Sequence, residues 1–297
     1  MANAGPKEVA CRLIRDGTLK LEGSPRPWYN GIVVSRDLLI VTNYNACTVQ
    51  CHRLQDGKLL VTHKLESEPR DLCLINDREI CVILLQGQIV IISVHSAENA
   101  HDIIPTKTLY VKGGLDKYHG VVTFKNNFIV CGLKDNTMCW SIVSRNDEHC
   151  DTIHQICKGE LWLNTSRLCT RDNMIYISCS DSRGSPDTGV YGYDSLNPNE
   201  YIYRYNHKDL NKPRGITIDK NGFIFVCNGW PDYCIHHLTH KCEIISIYTQ
   251  ERTWEILAIF CDQQYGYLFV TCTDSDEIGR YRPEYQSNLF LYFIGIN

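Results

Sequence analysis

The feature that most constrains the fold is an apolar segment that ends in cysteine and recurs at nearly constant spacing. The cysteines that end these segments are Cys131, Cys179, Cys227 and Cys272. Successive cysteines are 48, 48 and 45 residues apart. This period is too long for a coiled coil or a leucine-rich repeat, and it is typical of one four-stranded propeller blade. The spacing therefore predicts that each segment is the same strand of a repeated β-unit.

Two earlier segments extend the series to six units. Residues 39–43 and 80–84 are apolar and occupy the same position in the repeat, although neither ends in cysteine. Each of the six segments follows another apolar strand, and turn residues such as those at 219–222 separate the two. The second strand of each unit is apolar on both faces, so both faces have to be covered. In a closed ring each blade packs between two neighbouring blades, which cover both faces of its second strand.

We therefore predict an all-β fold, a six-bladed β-propeller of four-stranded antiparallel blades. No segment has the sustained 3.6-residue apolar period and capping residue of a helix. Residues 1–297 form a single β-propeller domain in this interpretation, because no linker or low-complexity segment interrupts the units. The blades are expected approximately at residues 25–66, 67–113, 114–160, 161–210, 211–251 and 252–297.

The closure of the ring is open at this point. Residues 9–14 and 18–21 flank Asp16-Gly17, a good hairpin signal, so residues 9–22 are possible ring-closing strands. The last unit already has a candidate fourth strand at residues 288–292. The N-terminal segment either adds an outer strand to that unit or replaces one.

Charge and cysteine usage restrict the class of protein. The net charge of −4 argues against a strongly basic nucleic-acid binder but allows a local basic patch. No run of 18 or more apolar residues predicts a membrane span. The first residues lack the apolar core of a signal peptide, so we expect a cytoplasmic chain. The sixteen cysteines are then expected to be reduced thiols packed at equivalent positions of different blades, with a disulfide framework as the alternative.

One cluster has the composition of a metal site. Cys234, His236, His237, His240 and Cys242 lie within nine residues, and zinc binds such side chains. A strand at this place puts His236 and His237 on opposite faces, however, and no Cys-x-x-Cys spacing supports a structural site. We therefore predict no metal and no cofactor. Since nucleophile-elbow and phosphate-loop motifs are also missing from the sequence, we predict no enzymatic activity.

Residues 212–228 resemble an NHL repeat. They read Pro-Arg-Gly at 213–215, an apolar strand, Asp-Lys-Asn-Gly at 219–222 and an aliphatic strand up to Cys227. Other units keep fewer of these residues, such as Gly120 in one and Pro69 in another. Over residues 25–297 the chain is similar to the C-terminal propellers of tripartite-motif (TRIM-NHL) proteins. It has no RING array, B-box or coiled-coil heptads, so the ligase activity of that family is not carried over.

Propeller families that neighbour the NHL family include enzymes. Propeller lactonases bind calcium on the central axis, and amidating lyases of similar architecture bind zinc there. In this chain Asp71 and Glu255 are the acidic residues at first-strand starts, and Asn43 and Asn228 are candidates to face the channel. A hard cation usually needs more oxygen ligands than these. A metal-dependent lactonase-like or lyase-like propeller is therefore the less favoured alternative.

Binding is expected on one face of the ring. In a propeller, the loops that lead into first strands and the loops that leave second strands share a face. Arginine and aromatic side chains, which are typical interface anchors, are concentrated in these loops. The long polar loop at 180–189 belongs to the same face. The candidate binding residues are Arg26, Trp28, Tyr29, Arg70, Tyr118, His119, Trp162, Arg167, Arg183, Lys212, Arg214, Trp230 and Tyr233.

Two classes of partner fit this face. The acidic overall balance favours a protein partner, either a peptide or a domain, with the chain as a non-enzymatic scaffold that is monomeric as an isolated domain. The clustered arginines favour the alternative, an RNA stem-loop or single strand, because RNA-binding proteins stack bases on rings and pair phosphates with arginine.

Overall fold

The chain folds into six four-stranded antiparallel sheets, which confirms the predicted propeller. The computed structural model describes residues 11–23, 27–97, 100–111, 114–146, 153–156, 167–180, 187–229, 232–249, 255–264, 266–273 and 275–285. Blade 1 comprises β2 (Tyr29–Ser35), β3 (Leu38–Asn43), β4 (Thr48–Arg53) and β5 (Leu59–Lys64). Blade 2 comprises β6 (Pro69–Asn76), β7 (Glu79–Leu84), β8 (Gln88–Ala97) and β9 (Ala100–Tyr110). Blade 3 comprises β10 (Lys117–Phe124), β11 (Asn127–Lys134), β12 (Thr137–Ser144) and β13 (His154–Gln155).

The second half of the ring has the same plan. Blade 4 comprises β14 (Arg167–Arg171), β15 (Met174–Cys179), β16 (Gly189–Asp194) and β17 (Asn197–Tyr205). Blade 5 comprises β18 (Pro213–Ile218), β19 (Ile224–Asn228), β20 (Cys234–Leu238) and β21 (Ile244–Thr249). Blade 6 comprises β22 (Ile256–Cys261), β23 (Leu268–Cys272), β24 (Glu277–Tyr285) and β1 (Cys11–Lys20). In the described residues no helix is long and apolar enough to cross a membrane.

Burial follows the order of the strands within a blade. Second strands such as β3 and β19 are buried along their whole length, as their two-sided apolar pattern predicts. Outer strands such as β17 are mostly exposed. The first strands surround a central channel that holds a cavity of about 290 Å³. Apolar cores lie between adjacent blades, and the one between blades 3 and 4 contains the fully buried Trp140.

The N-terminal strand closes the ring. β1 pairs with β24 from Cys11–Tyr285 to Lys20–Glu277 and is the fourth strand of blade 6. It is one strand with a bulge between Arg15 and Gly17, so the predicted hairpin at Asp16-Gly17 is wrong. The alternative fourth strand at residues 288–292 lies outside the described residues.

Side-chain hydroxyl and amide groups link each blade to the next. Between blades 6 and 1, the Thr271 hydroxyl donates to the Tyr29 carbonyl at 2.9 Å and accepts from the Ala258 amide at 3.0 Å. The other junctions have comparable bonds: Ser35 to the Asp77 carbonyl, Thr123 to that of Leu74, Thr170 to that of Thr123, Ser178 to that of Arg214 and Gln263 to that of Ile218. These bonds fix the relative height of neighbouring blades, so residues of different blades meet reproducibly at the ends of the channel.

The cysteine series has two registers, and the prediction that the four cysteines occupy equivalent positions is wrong. Cys131 pairs with Gly120, just after a bulge in the first strand. Cys272 pairs with Ile256, one residue before the corresponding bulge. Because a shift of one residue turns a side chain to the opposite face, cysteines of neighbouring blades meet. Cys131 and Cys179 share the core between blades 3 and 4, and Cys227 and Cys272 share the one between blades 5 and 6.

Buried thiols are expected to react slowly. The cysteines whose side chains are described are free thiols, and all except Cys47 and Cys272 are buried. Burial raises the pKa of Cys51 to about 12, and that of Cys242 to about 12, which suppresses the reactive thiolate. Iodoacetamide treatment of the native protein, followed by mass spectrometry, should label Cys47 and Cys272 well before Cys51 or Cys242. Urea-unfolded protein is the control for complete labelling, and equal native rates would contradict the prediction.

Candidate binding face

A β-bulge near the start of the first strand recurs in five blades. The bulges lie between Tyr29 and Gly31, Pro69 and Asp71, Tyr118 and Gly120, Pro213 and Ile216, and Ile256 and Ile259. A bulge adds one residue to one strand and redirects its side chain. We call Asn30, Arg70, His119 and Arg214, which lie in four of these bulges, the bulge residues. They mark one end of the channel, which we call the channel mouth.

Arg167 crosses the channel mouth from blade 4. Its guanidinium donates to the carbonyls of three bulge residues: Nη1 to His119 at 2.6 Å, and Nη2 to Arg70 at 2.7 Å and to Asn30 at 3.3 Å. Nε lies 3.5 Å from Asp71 Oδ1, and Asp71 Oδ2 accepts the Val121 amide. Arg167 is 6% exposed. One side chain therefore joins blades 1, 2, 3 and 4 below the surface.

An aromatic and cationic cluster is partly exposed between blades 1 and 2. The rings of Trp28 and Tyr44 are 6.0 Å apart, and the guanidinium carbon of Arg70 lies 4.8 Å from the centre of the Tyr44 ring. The buried Asn43 fixes the loop, because its Oδ1 accepts the amides of Trp28 and Ala46. We call Trp28, Tyr44 and Arg70 the Trp28 cluster. It offers two rings and a cation on a fixed backbone.

Blade 5 repeats the asparagine and adds an ion pair. Asn228 Oδ1 accepts the Lys212 amide at 2.8 Å, and its Nδ2 donates to the Asp209 carbonyl. Asn43 and Asn228 therefore hold loops of their own blades, which corrects their interpretation as channel-facing groups. Arg214 donates through Nε and Nη2 to Glu255 Oε1 at 3.1 and 2.5 Å.

The structure divides the candidate binding residues into three groups. The buried ones are Tyr29, Tyr118, His119 and Arg167. The partly exposed ones are Trp28, Arg70, Lys212, Arg214 and Tyr233. Arg26, Trp162, Arg183 and Trp230 lie outside the described residues, as do residues 181–186 of the long loop. Tyr44 and Lys117 lie in loops that the sequence assigns to this face but were not selected as binding residues, and a side-chain contact and the strand register show their places.

The histidine cluster of blade 5 is divided between two faces, as strand alternation predicted. His236 Nδ1 lies 2.8 Å from the Tyr205 hydroxyl, and its Nε2 lies 3.2 Å from Cys234 Sγ. His237 instead stacks on Phe225, with ring centres 4.5 Å apart. Burial lowers the pKa of each histidine to about 4, so both are neutral at pH 7. Nowhere in the described ranges do three or more His, Cys, Asp or Glu side chains form a group that could hold a metal ion.

Comparison with known proteins supports the fold and no narrower assignment. No family model matches the sequence, and no curated protein matches it. Among solved structures, a structural genomics protein of unknown function from Bacteroides thetaiotaomicron is similar, with a TM-score of 0.63 and 15% identity. The match covers 93% of this chain and 77% of that protein. Identity this low supports a shared architecture only, and the NHL resemblance stays a prediction.

Proposed function

We propose that the chain is a non-catalytic binding module of the NHL type, and that its partner is a protein bound at the channel mouth. The observation that carries this proposal is the Trp28 cluster. Tryptophan, tyrosine and arginine are the residues that most often dominate the binding energy of protein interfaces. In this cluster they are partly exposed and adjacent, and the buried Asn43 holds the backbone amides of Trp28 and Ala46.

Rigidity of the support favours binding further. The channel mouth is cross-linked by Arg167 and by hydrogen bonds between blades. A preorganised surface loses little conformational entropy when a partner binds. Loops on such a scaffold are the usual place for recognition.

The distribution of charge favours protein over RNA. Arg214 is paired with Glu255 and Arg167 with Asp71, so these arginines are already neutralised within the chain. RNA binding draws its affinity from many phosphate contacts with uncompensated cations. Among the described residues of this face, two of the arginines are compensated and two rings are partly exposed, which suits a peptide or a domain surface better.

Removing both rings of the Trp28 cluster should weaken partner binding by about tenfold or more, since each ring is a candidate anchor. The partner is first identified by photo-crosslinking from a benzoylphenylalanine at position 44, with the same probe at Leu196 as the comparison. Leu196 is 74% exposed on blade 4, away from the Trp28 cluster. Calorimetry with the purified partner then compares wild type with the variant Trp28→Ala, Tyr44→Ala.

The control is Leu196→Ser, which should bind the partner as wild type does. The proposal fails if the double variant keeps its fold by circular dichroism and also keeps wild-type affinity. It fails as well if the molecule crosslinked at position 44 is RNA.

A further inference from the structure

The pseudo-symmetry of the ring allows one blade junction to be compared with another. In the blades with a first-strand bulge, one residue, which we call the lead-in residue, directly precedes the paired residue just before the bulge. Glu255 is the lead-in residue of blade 6, because the next residue, Ile256, pairs with Cys272. Lys117 is that of blade 3, because Tyr118 pairs with Gly132. The first-strand bulges give both residues the same place relative to the preceding blade.

The two junctions have the same arginine and opposite lead-in charges. Arg214 of blade 5 and Arg70 of blade 2 are both bulge residues. Arg214 is neutralised by the lead-in carboxylate of the next blade, Glu255. For Arg70, the corresponding residue of the next blade is Lys117, which is a second cation.

Arg70 consequently lacks an acceptor. Within the described part of the chain its side chain forms no ion pair and no hydrogen bond, and its Nε is buried without a partner. The charge of Glu68 attracts it without forming an ion pair, and its guanidinium lies over the Tyr44 ring. A half-buried guanidinium without an acceptor is costly, because desolvation is not offset by hydrogen bonds.

His119 lies beside this uncompensated charge. It is 5% exposed, and its Nδ1 has no hydrogen-bond partner among the described residues. Burial and the charges of Arg70, Arg167, Lys117 and Arg214 lower its pKa to about 3. A neutral imidazole can place an N–H on Nδ1, so His119 can donate to an anion without adding charge.

We propose that Arg70, Lys117 and His119 form a binding site for one carboxylate of an acidic protein segment. The carboxylate takes the place beside Arg70 that Glu255 takes beside Arg214. Guanidinium and carboxylate form the strongest class of protein hydrogen bonds, and a carboxylate would satisfy the buried Nε. The protein origin of the segment rests on the function proposed above, and the neighbouring rings of Trp28 and Tyr44 suit residues that flank the acidic one.

Lys117→Glu tests the site by supplying the carboxylate from within the chain. The probes are fluorescein-labelled hexaglutamate, hexaglutamine and decauridine RNA, with binding followed by fluorescence anisotropy at low and physiological salt. We expect Lys117→Glu to weaken hexaglutamate binding by about tenfold or more. We also expect it to raise the melting temperature, because the new carboxylate pairs with Arg70.

Lys208→Glu is the matched control. It makes the same charge change at an exposed residue of the loop that leads into blade 5. It should leave hexaglutamate binding within about twofold of wild type, since an exposed charge away from a site contributes little. Equal losses in the two variants would show diffuse attraction to the whole face and overturn the site.

Other results would also reject the proposal. It is rejected if wild type does not bind hexaglutamate in preference to hexaglutamine, or if Lys117→Glu lowers the melting temperature. Tighter binding of decauridine, lost in the same variant, would assign the site to an RNA phosphate.

Binding of the purified partner separates the two proposals. If Lys117→Glu binds the partner normally and the Trp28 and Tyr44 double variant does not, the proposed binding face is retained and the carboxylate site is rejected. If the double variant binds normally and Lys117→Glu does not, the carboxylate site is retained and the role of the Trp28 cluster is rejected.

Discussion

Arg167→Met should lower the free energy of unfolding by about 3–5 kcal/mol at neutral pH, the range for breaking a buried ion pair by removing one partner. Methionine keeps much of the apolar stem but donates no hydrogen bond. Asp71 then stays buried without its counter-charge, and the bulge carbonyls lose their donor. Urea denaturation followed by circular dichroism measures the change.

The loss of unfolding free energy in Arg167→Met should depend on pH because of Asp71. Burial raises the pKa of Asp71 to about 6, and the charge of Arg167 opposes that rise. Without Arg167 the folded-state pKa moves higher still. A carboxyl with a folded-state pKa above its unfolded value destabilises the protein at high pH, and this cost disappears as the pH falls through the folded-state pKa. The deficit of Arg167→Met should therefore be largest at about pH 8 and smaller at about pH 5.

Asp71→Asn in the Arg167→Met background provides the control. Asparagine removes the charge but keeps an oxygen that can accept the Val121 amide. The double variant should recover a large part of the lost stability, and its remaining deficit should vary little with pH. A deficit that is equal at both pH values in Arg167→Met would show that lost packing, not the charge of Asp71, accounts for it.

Gly215→Ala should destabilise the ring by about 3 kcal/mol, the upper range for overpacking a well-packed interior. A Cβ at this position would lie 2.7 Å from the Ile259 amide nitrogen and 2.9 Å from Ala258 Cα. Both atoms belong to the backbone of β22, so no side chain can rotate away. The first strands of blades 5 and 6 would have to separate, which also disturbs the bond between Gln263 and the Ile218 carbonyl.

Gly266→Ala is the comparison for this substitution. Gly266 has a φ of +73°, and an added Cβ would meet no heavy atom within 4 Å. Its cost should be about 1 kcal/mol, from the left-handed backbone alone. Urea denaturation of both variants separates steric from conformational cost. Similar losses would mean that the first strands of blades 5 and 6 can part easily.

The sequence predicted the architecture because the repeat and the two-sided burial of second strands are local patterns. Strand register was harder to predict. Cys131 and Cys179 end similar apolar segments, yet they differ by one position relative to the first strand and point to opposite faces. Ring closure was left open because residues 288–292 and the N-terminal segment both have strand-like patterns, and no local signal decides which one pairs with β24.

The sequence predicted which loops form the candidate site, but it did not predict which interactions the individual arginines make. Arg70, Arg167 and Arg214 all lie at or next to the start of a first strand, and their immediate sequence does not show which partner each one has. Their roles depend on residues far along the chain: Arg167 on carbonyls of three other blades, and Arg214 on Glu255. Such partners become visible only when the bulges and the order of blades around the ring are known.

The pairing of β1 with β24 also has a consequence for the growing chain. The strand β1 is synthesised long before its partner near residue 280, so it waits through the synthesis of five blades. During that time the ring is an open arc with an unpaired sheet edge, the kind of edge that other chains can join. A mechanical load that pulls on the chain at the start of β1 would also act first on this one antiparallel pair.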